Sequence, residues 1–210
     1  MTEIEMLCMA NSWKHKERCI AGLLPNGSWI RPVSTSTGGA ISNSQCQVAD
    51  GHQIQQLDVV GLVIDRATPL INQPENHLIS DRNWHLLRKR TASEVSDFLT
   101  DCEYDGDTLF GTTSNKVRWS QIEEQGVEES LLLIRATRPR FYWRDNQLRA
   151  VFVHARAEYD LSVTFDLNTS DNGRRSSSEW WLTVSLGGPW PEQNNDCYKL
   201  IAGAIEIPDI

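Results

Sequence analysis

The apolar residues of this chain come in short runs. Examples are residues 19–24, Trp29–Val33 and residues 57–64, all rich in β-branched or aromatic side chains. Clusters of Gly, Pro, Asn and Ser lie between them. This is the pattern of strands joined by turns. Pro25-Asn26-Gly27 reads as a hairpin turn, and the polar stretch 34–47 as a loop. No run approaches the roughly 20 apolar residues needed to cross a bilayer.

The second half is the cleaner. Residues 130–143, 147–155, 158–164, 180–186 and 197–207 give five strand candidates, the number that a small barrel of the oligonucleotide-binding (OB) type requires. A polar connector, residues 165–179, carries Arg174 and Arg175. One helix is credible. Thr91 and Glu94 have capping-box spacing, and Val95, Phe98 and Leu99 then share a face. Asp81 is a candidate cap for an earlier turn through Trp84 and Leu87. The expected architecture is mostly β: two OB-like five-stranded barrels, with a short helical insertion in the first. The expected domains are 1–127, with the insertion at about 81–101, and 128–210. Arg18-Cys-Ile-Ala-Gly22 and Lys199-Leu-Ile-Ala-Gly203 echo each other, as two related barrels would.

Charge and cysteine content narrow the function classes. The net charge is −8. Residues 94–129 hold ten acids and two bases, so this stretch accounts for all of it. The rest of the chain is neutral in sum and leaves room for a basic groove. The five cysteines are widely spaced, without Cys-x-x-Cys or zinc-finger His spacing, and read as apolar fillers. The five histidines are scattered. There is no phosphate-binding Gly-rich loop and no nucleophile elbow. Asp101-Cys-Glu-Tyr-Asp-Gly-Asp107 lacks the order and terminal Glu of a calcium loop. No catalytic residue, cofactor or metal is expected. Glu3 and Glu5 near the N-terminus are unlike a signal peptide, so a cytoplasmic protein is expected.

Two places suit nucleic acid. A two-residue turn at Asp145-Asn146 pairs Arg144 with Gln147, Tyr142 with Arg149 and Arg140 with Val151. Phe141, Trp143, Leu148, Ala150 and Phe152 then form a core face. Arg138, Arg140, Tyr142, Arg144 and Arg149 gather on the other: charge for a backbone, a ring for a base. The same arginines would otherwise be solvated or paired with the acids of 94–129. Near the N-terminus, Asn11, Ser12, Lys14 and Arg18 lie between two apolar strands. They either hold a phosphate or base edge, or satisfy the local backbone. Trp29 and Arg31 share a strand face and either bind a nucleotide or stack on each other.

Cys8-Met-Ala-Asn-Ser-Trp-Lys14, Arg18-Cys-Ile-Ala-Gly22 and Trp29-Ile-Arg-Pro-Val-Ser34 resemble the opening motifs of the prokaryotic dual OB-containing domain family. Gln73-Pro-Glu-Asn76 is similar to its His-Pro-Glu-Asn motif, with Gln for His. Glu158-Tyr-Asp-Leu-Ser-Val-Thr164, Ser185-Leu-Gly187 and Cys197-Tyr-Lys-Leu-Ile-Ala-Gly203 resemble its later motifs, in order. The resemblance implies a nucleic-acid-binding module associated with prokaryotic conflict or antiviral systems, with a helicase or nuclease as partner. Tyr198 and Lys199 join the candidate binding residues on this ground. Two other readings stay open. One is a pocket for a small nucleotide or modified base around Asn11, Lys14, Arg31 and Lys199. The other is a protein-interaction subunit that docks through its acidic stretch.

Overall fold

The run Met6-Leu-Cys-Met-Ala10 has no polar alternation, so the strand that holds it must be covered on both faces. The structure, a computed structural model, describes residues 1–14, 17–48, 51–166 and 178–208. It places the run in the middle of β1 (Thr2–Lys14). The first half of β1 pairs antiparallel with β4 (Asp58–Ala67), and the second half with β2 (Glu17–Leu23). β2 pairs with β3 (Trp29–Val33), and β3 runs parallel to β5 (Asn76–Ile79). β5 returns to β4. The circuit β1-β2-β3-β5-β4 closes on itself as a five-stranded barrel. Met6, Cys8, Ile20, Ile30, Val60, Leu62 and Trp84 fill it.

β6 (His85–Lys89) pairs with the first half of β4, on the same edge as β5 and opposite β1. This corrects the helical turn expected through Trp84 and Leu87: that segment is extended, and Trp84 packs into the first core. The helix that does form, α1 (Ser96–Asp101), follows a single 3₁₀ turn at Ser93–Val95. Its capping box is present. The Thr91 amide donates to Glu94 Oε2 at 2.7 Å, and the Glu94 amide to Thr91 Oγ1 at 3.4 Å.

β7 (Lys116–Val117) and α2 (Trp119–Gln125), neither anticipated, precede the second set of strands. β7 pairs with the last strand of the chain although it lies before the expected boundary near residue 127. The second set comprises β8 (Leu131–Thr137), β9 (Arg140–Arg144), β10 (Gln147–His154), β11 (Ala157–Val163), β12 (Glu179–Trp190) and β13 (Asp196–Glu206). Its order is β8-β12-β13-β11-β10-β9, with β11 and β13 parallel. The single strand expected over 130–143 is therefore two. Arg138, at φ 50°, turns the chain between β8 and β9. Read as one interrupted strand, β8–β9 closes the second circuit in the same order as the first. The chain is thus mostly β and holds two OB barrels.

The barrels share a third core. Leu7, Met9, Leu23 and Trp29 from the outside of the first pack on Leu131, Leu133, Trp181 and Ile205 of the second. A bulge in β1 between Cys8 and Ala10 frees the Met9 carbonyl from the ladder. That oxygen accepts from Gln56 Nε2 at 2.9 Å and from Thr183 Oγ1 on β12 at 3.2 Å. A Cβ on Gly203 would lie 2.1 Å from the same oxygen. Gly203→Ala is therefore expected to cost about 1–3 kcal/mol, the usual range for overpacking, read as a lower urea midpoint. The Ile-Ala-Gly echo does not mark equivalent strands, because β2 is second in its barrel and β13 is last. Its two glycines do a similar job: each lets a strand approach β1, Gly22 at the Leu7 carbonyl and Gly203 at Met9.

None of the five cysteines is in a disulfide, and Cys8, Cys46 and Cys197 are buried. Burial pushes the Cys197 thiol up to about 11.

Candidate nucleic-acid interface

The β9–β10 hairpin has the register read from its sequence: Gln147 opposite Arg144, Arg149 opposite Tyr142, Val151 opposite Arg140. Asp145 and Asn146 both have positive φ, as the two-residue turn demands. Leu148, Ala150 and Phe152 are buried in the second core and Phe141 packs on it. Trp143 departs from expectation and is 67% exposed, because the hairpin tip projects past the core. On the other face Arg138, Arg140 and Arg144 are exposed. Arg140 lies 5.5 Å from the Tyr142 ring centroid, and Arg144 makes an exposed contact with Asp145 at 3.7 Å.

Arg149 and Tyr142 are engaged with Asp160. Arg149 Nε donates to its carboxylate at 2.8 Å and the Tyr142 hydroxyl at 2.7 Å. Partial burial disfavours the Asp160 charge, but these two donors outweigh it and hold the carboxyl below its usual range. None of these arginines forms an ion pair with the acids of 94–129. The cation that does so from β8 is Arg135, on Glu103 at 2.8 Å.

The N-terminal candidates divide. Asn11 Nδ2 donates to the Ile54 carbonyl at 2.6 Å, and Ser12 Oγ to the Cys19 carbonyl at 3.4 Å. Both satisfy backbone. Arg18 reaches the Asn11 and Asn43 side chains and lies 3.4 Å above the centre of the Trp13 ring. Trp13, 39% exposed, donates through Nε1 to Asp166 at 2.7 Å. The side chain of Lys14 lies outside the described residues, as do Arg174 and Arg175 of the connector.

Three other candidates are buried. Trp29 is packed in the shared core and presents no ring for stacking. Arg31 is not stacked on it in the open. Its Nη2 donates to Ser130 Oγ at 2.8 Å and Ser185 Oγ at 3.3 Å, both in the second barrel's sequence. Ser130 in turn donates to Glu75 through its hydroxyl, at 2.7 Å, and its amide. Desolvation lowers the Arg31 pKa, and Glu75 opposes that shift. Lys199 is 2% exposed, with Nζ donating to the Thr112 carbonyl. Burial pushes its pKa down to about 7. Strand alternation pointed to Trp29 and Arg31, which the second barrel covers; the family resemblance pointed to Lys199, which lies near the Tyr159 ring of its own barrel.

Where the barrels meet, the surface is hollowed. One cavity of about 490 Å³ is walled by Cys19, Arg31 and Val33 of β2 and β3, by Gln73 of the β4–β5 turn, and by Gly187, Trp190 and Tyr198 from the second barrel. A second, of about 390 Å³, is walled by Gln147 and Arg149 of β10, Asp160 and Ser162 of β11, and Gln193 of the β12–β13 turn. Trp190, Glu192, Tyr198 and Leu200 line both, so the cavities adjoin. In OB barrels the face of the second and third strands, with the flanking loops, is where oligonucleotides bind. Both barrels turn that face into this one groove. Trp190, 53% exposed and edge-on to Tyr198 at 6.0 Å, was missed in the sequence. Its signal was a Trp between Pro189 and Pro191 after two glycines, a place where a core residue is improbable.

The profile of the dual OB-containing domain family matches residues 4–204. The chain belongs to that family. No curated protein matches this dual OB chain. Among solved structures it is similar to a murine DNA-binding protein bound to double-stranded DNA, at 6% identity and a TM-score of 0.32, with 97% of this chain and 100% of the other covered. Among the described residues no His, Cys, Asp and Glu group could hold a metal ion, and no helix is long and apolar enough to cross a membrane.

Proposed function

We propose that this dual OB chain binds single-stranded nucleic acid along the groove that its two barrels share. The observation that carries this reading is the continuity of the two cavities through Trp190 and Tyr198, with the exposed arginines of β9 on the same barrel. Tyr198 and Trp190 offer rings for stacking, and Arg140, Arg144 and Arg18 offer guanidinium groups for phosphates. The net charge of −8 does not oppose this, since charge is felt locally within about 10 Å at ordinary salt.

Anisotropy of labelled DNA and RNA oligonucleotides over a salt series tests it. Binding should weaken as salt rises. Arg140→Glu with Arg144→Glu should lower affinity at least about ten-fold and flatten the salt slope by about 0.7 per lost phosphate contact. Absence of binding to any single strand at low salt would overturn the reading.

The module is read as an accessory to an enzyme of a prokaryotic defence system, such as a helicase or nuclease. Family membership supports this, and co-purification of such an enzyme from the native host tests it.

A further inference from the structure

We infer that the paired cavities form a two-nucleotide site, in which two successive bases enter from one strand and Trp190 with Tyr198 stands between them. This rests on the proposed binding of single strands and adds where the bases go. Each cavity falls in the size range of small-ligand pockets, which begins at about 300 Å³. The residues common to both are two aromatics, Leu200 and Glu192.

Glu192 decides the orientation. Its carboxylate lines both cavities and accepts weakly from Trp190 Nε1 at 3.4 Å. A phosphate drawn into either cavity would meet that negative charge, while the guanidinium groups in the walls are already engaged, Arg31 by Ser130 and Ser185 and Arg149 by Asp160. A base would not, and an exocyclic amino group of adenine, cytosine or guanine can donate to it. The exposed guanidinium groups lie outside the cavities, on β9, and Arg18 caps Trp13 at the rim. Bases therefore point in and phosphates run along the outside.

The wall of the larger cavity includes Gly188, where a Cβ would meet nothing within 4 Å. The backbone there does not need glycine, since its φ is not positive. A leucine at this position fills the cavity without disturbing the barrel.

The experiment compares a 5′-phosphorylated mononucleotide, a dinucleotide and a 12-residue oligonucleotide on wild type, Gly188→Leu and Trp190→Ala, with circular dichroism melts to confirm folding. The dinucleotide should bind at least ten-fold more tightly than the mononucleotide. Gly188→Leu should weaken dinucleotide and oligonucleotide at least ten-fold. Trp190→Ala should weaken both about ten-fold, the size of one lost stacking contact, and carries the test if the leucine variant does not fold. If the oligonucleotide binds wild type and both variants alike, the two-base site is wrong while strand binding stands. If mono- and dinucleotide bind equally, it is wrong as well. If nothing binds wild type, both ideas fall.

Discussion

Arg31→Met is expected to destabilise the protein by about 3–5 kcal/mol, the usual result of removing one member of a buried charged set. The reason lies in what remains. Glu75 is buried, accepts from the Ser130 amide and hydroxyl, and lies within electrostatic reach of the Arg31 guanidinium. Without the cation, that carboxylate and the Ser185 hydroxyl lose their counterpart. Arg31→Met with Glu75→Gln should recover much of the loss, since charge is then removed from both sides. Urea unfolding of the four proteins in the cycle measures the coupling. Additive losses would show that the two residues act separately and that the network does not join the barrels.

Lys199→Met should act in the opposite direction and stabilise the protein near neutral pH. In the folded state burial holds the Lys199 pKa at about 7, whereas the unfolded chain keeps its ordinary 10.5. Between these values the unfolded chain binds more protons, so wild-type stability rises with pH by up to about 1.4 kcal/mol per unit. Below about 7 both states are protonated and the cost of the buried ammonium is paid in full. Methionine removes that cost and flattens the slope. The clean window is pH 7 to 9. Above it the buried thiols of Cys8 and Cys197, both raised by burial, stay protonated only in the folded state and oppose the trend. Denaturation midpoints of wild type and variant at three pH values across the window should converge as pH rises. Parallel curves would mean that Lys199 is charged in place.

The hairpin of β9 and β10 was legible in the sequence because the turn and the pairing are one fact. Two residues at positive φ between strands leave a single register, and the register assigns every side chain to a face. The five-strand rhythm was legible for a similar local reason. What alternation could not tell was which faces a second barrel would cover. Trp29 and Arg31 stand on a strand at positions where a single barrel of this size leaves room for ligand-facing residues, and Lys199 was named only through the family resemblance. Here Trp29 meets the shared core, Arg31 meets Ser130 and Ser185, and Lys199 meets the Thr112 carbonyl. Those partners are about 87 to 154 residues away in the chain, and no short-range pattern encodes them. The split of 130–143 escaped for a different reason. Arg138 takes a left-handed turn that an arginine does not advertise, and the sign of the break is its neighbour Pro139, which cannot donate to a strand ladder. Trp190 was the reverse case. Its neighbours announced an exposed turn, and only the fold showed that the turn closes a groove.

The apolar strip shared by the two barrels also has a consequence for synthesis. The strands of the first barrel are all present once β5 has left the ribosome. Its outer side, with Leu7, Met9, Leu23 and Trp29, still lacks the cover of the second barrel, because Leu131 and Leu133 come about fifty residues later and Trp181 and Ile205 more than a hundred. For that interval the nascent chain carries a finished barrel with a bare, greasy flank. It is during translation, before the second half arrives, that this protein most needs a chaperone or a dilute environment.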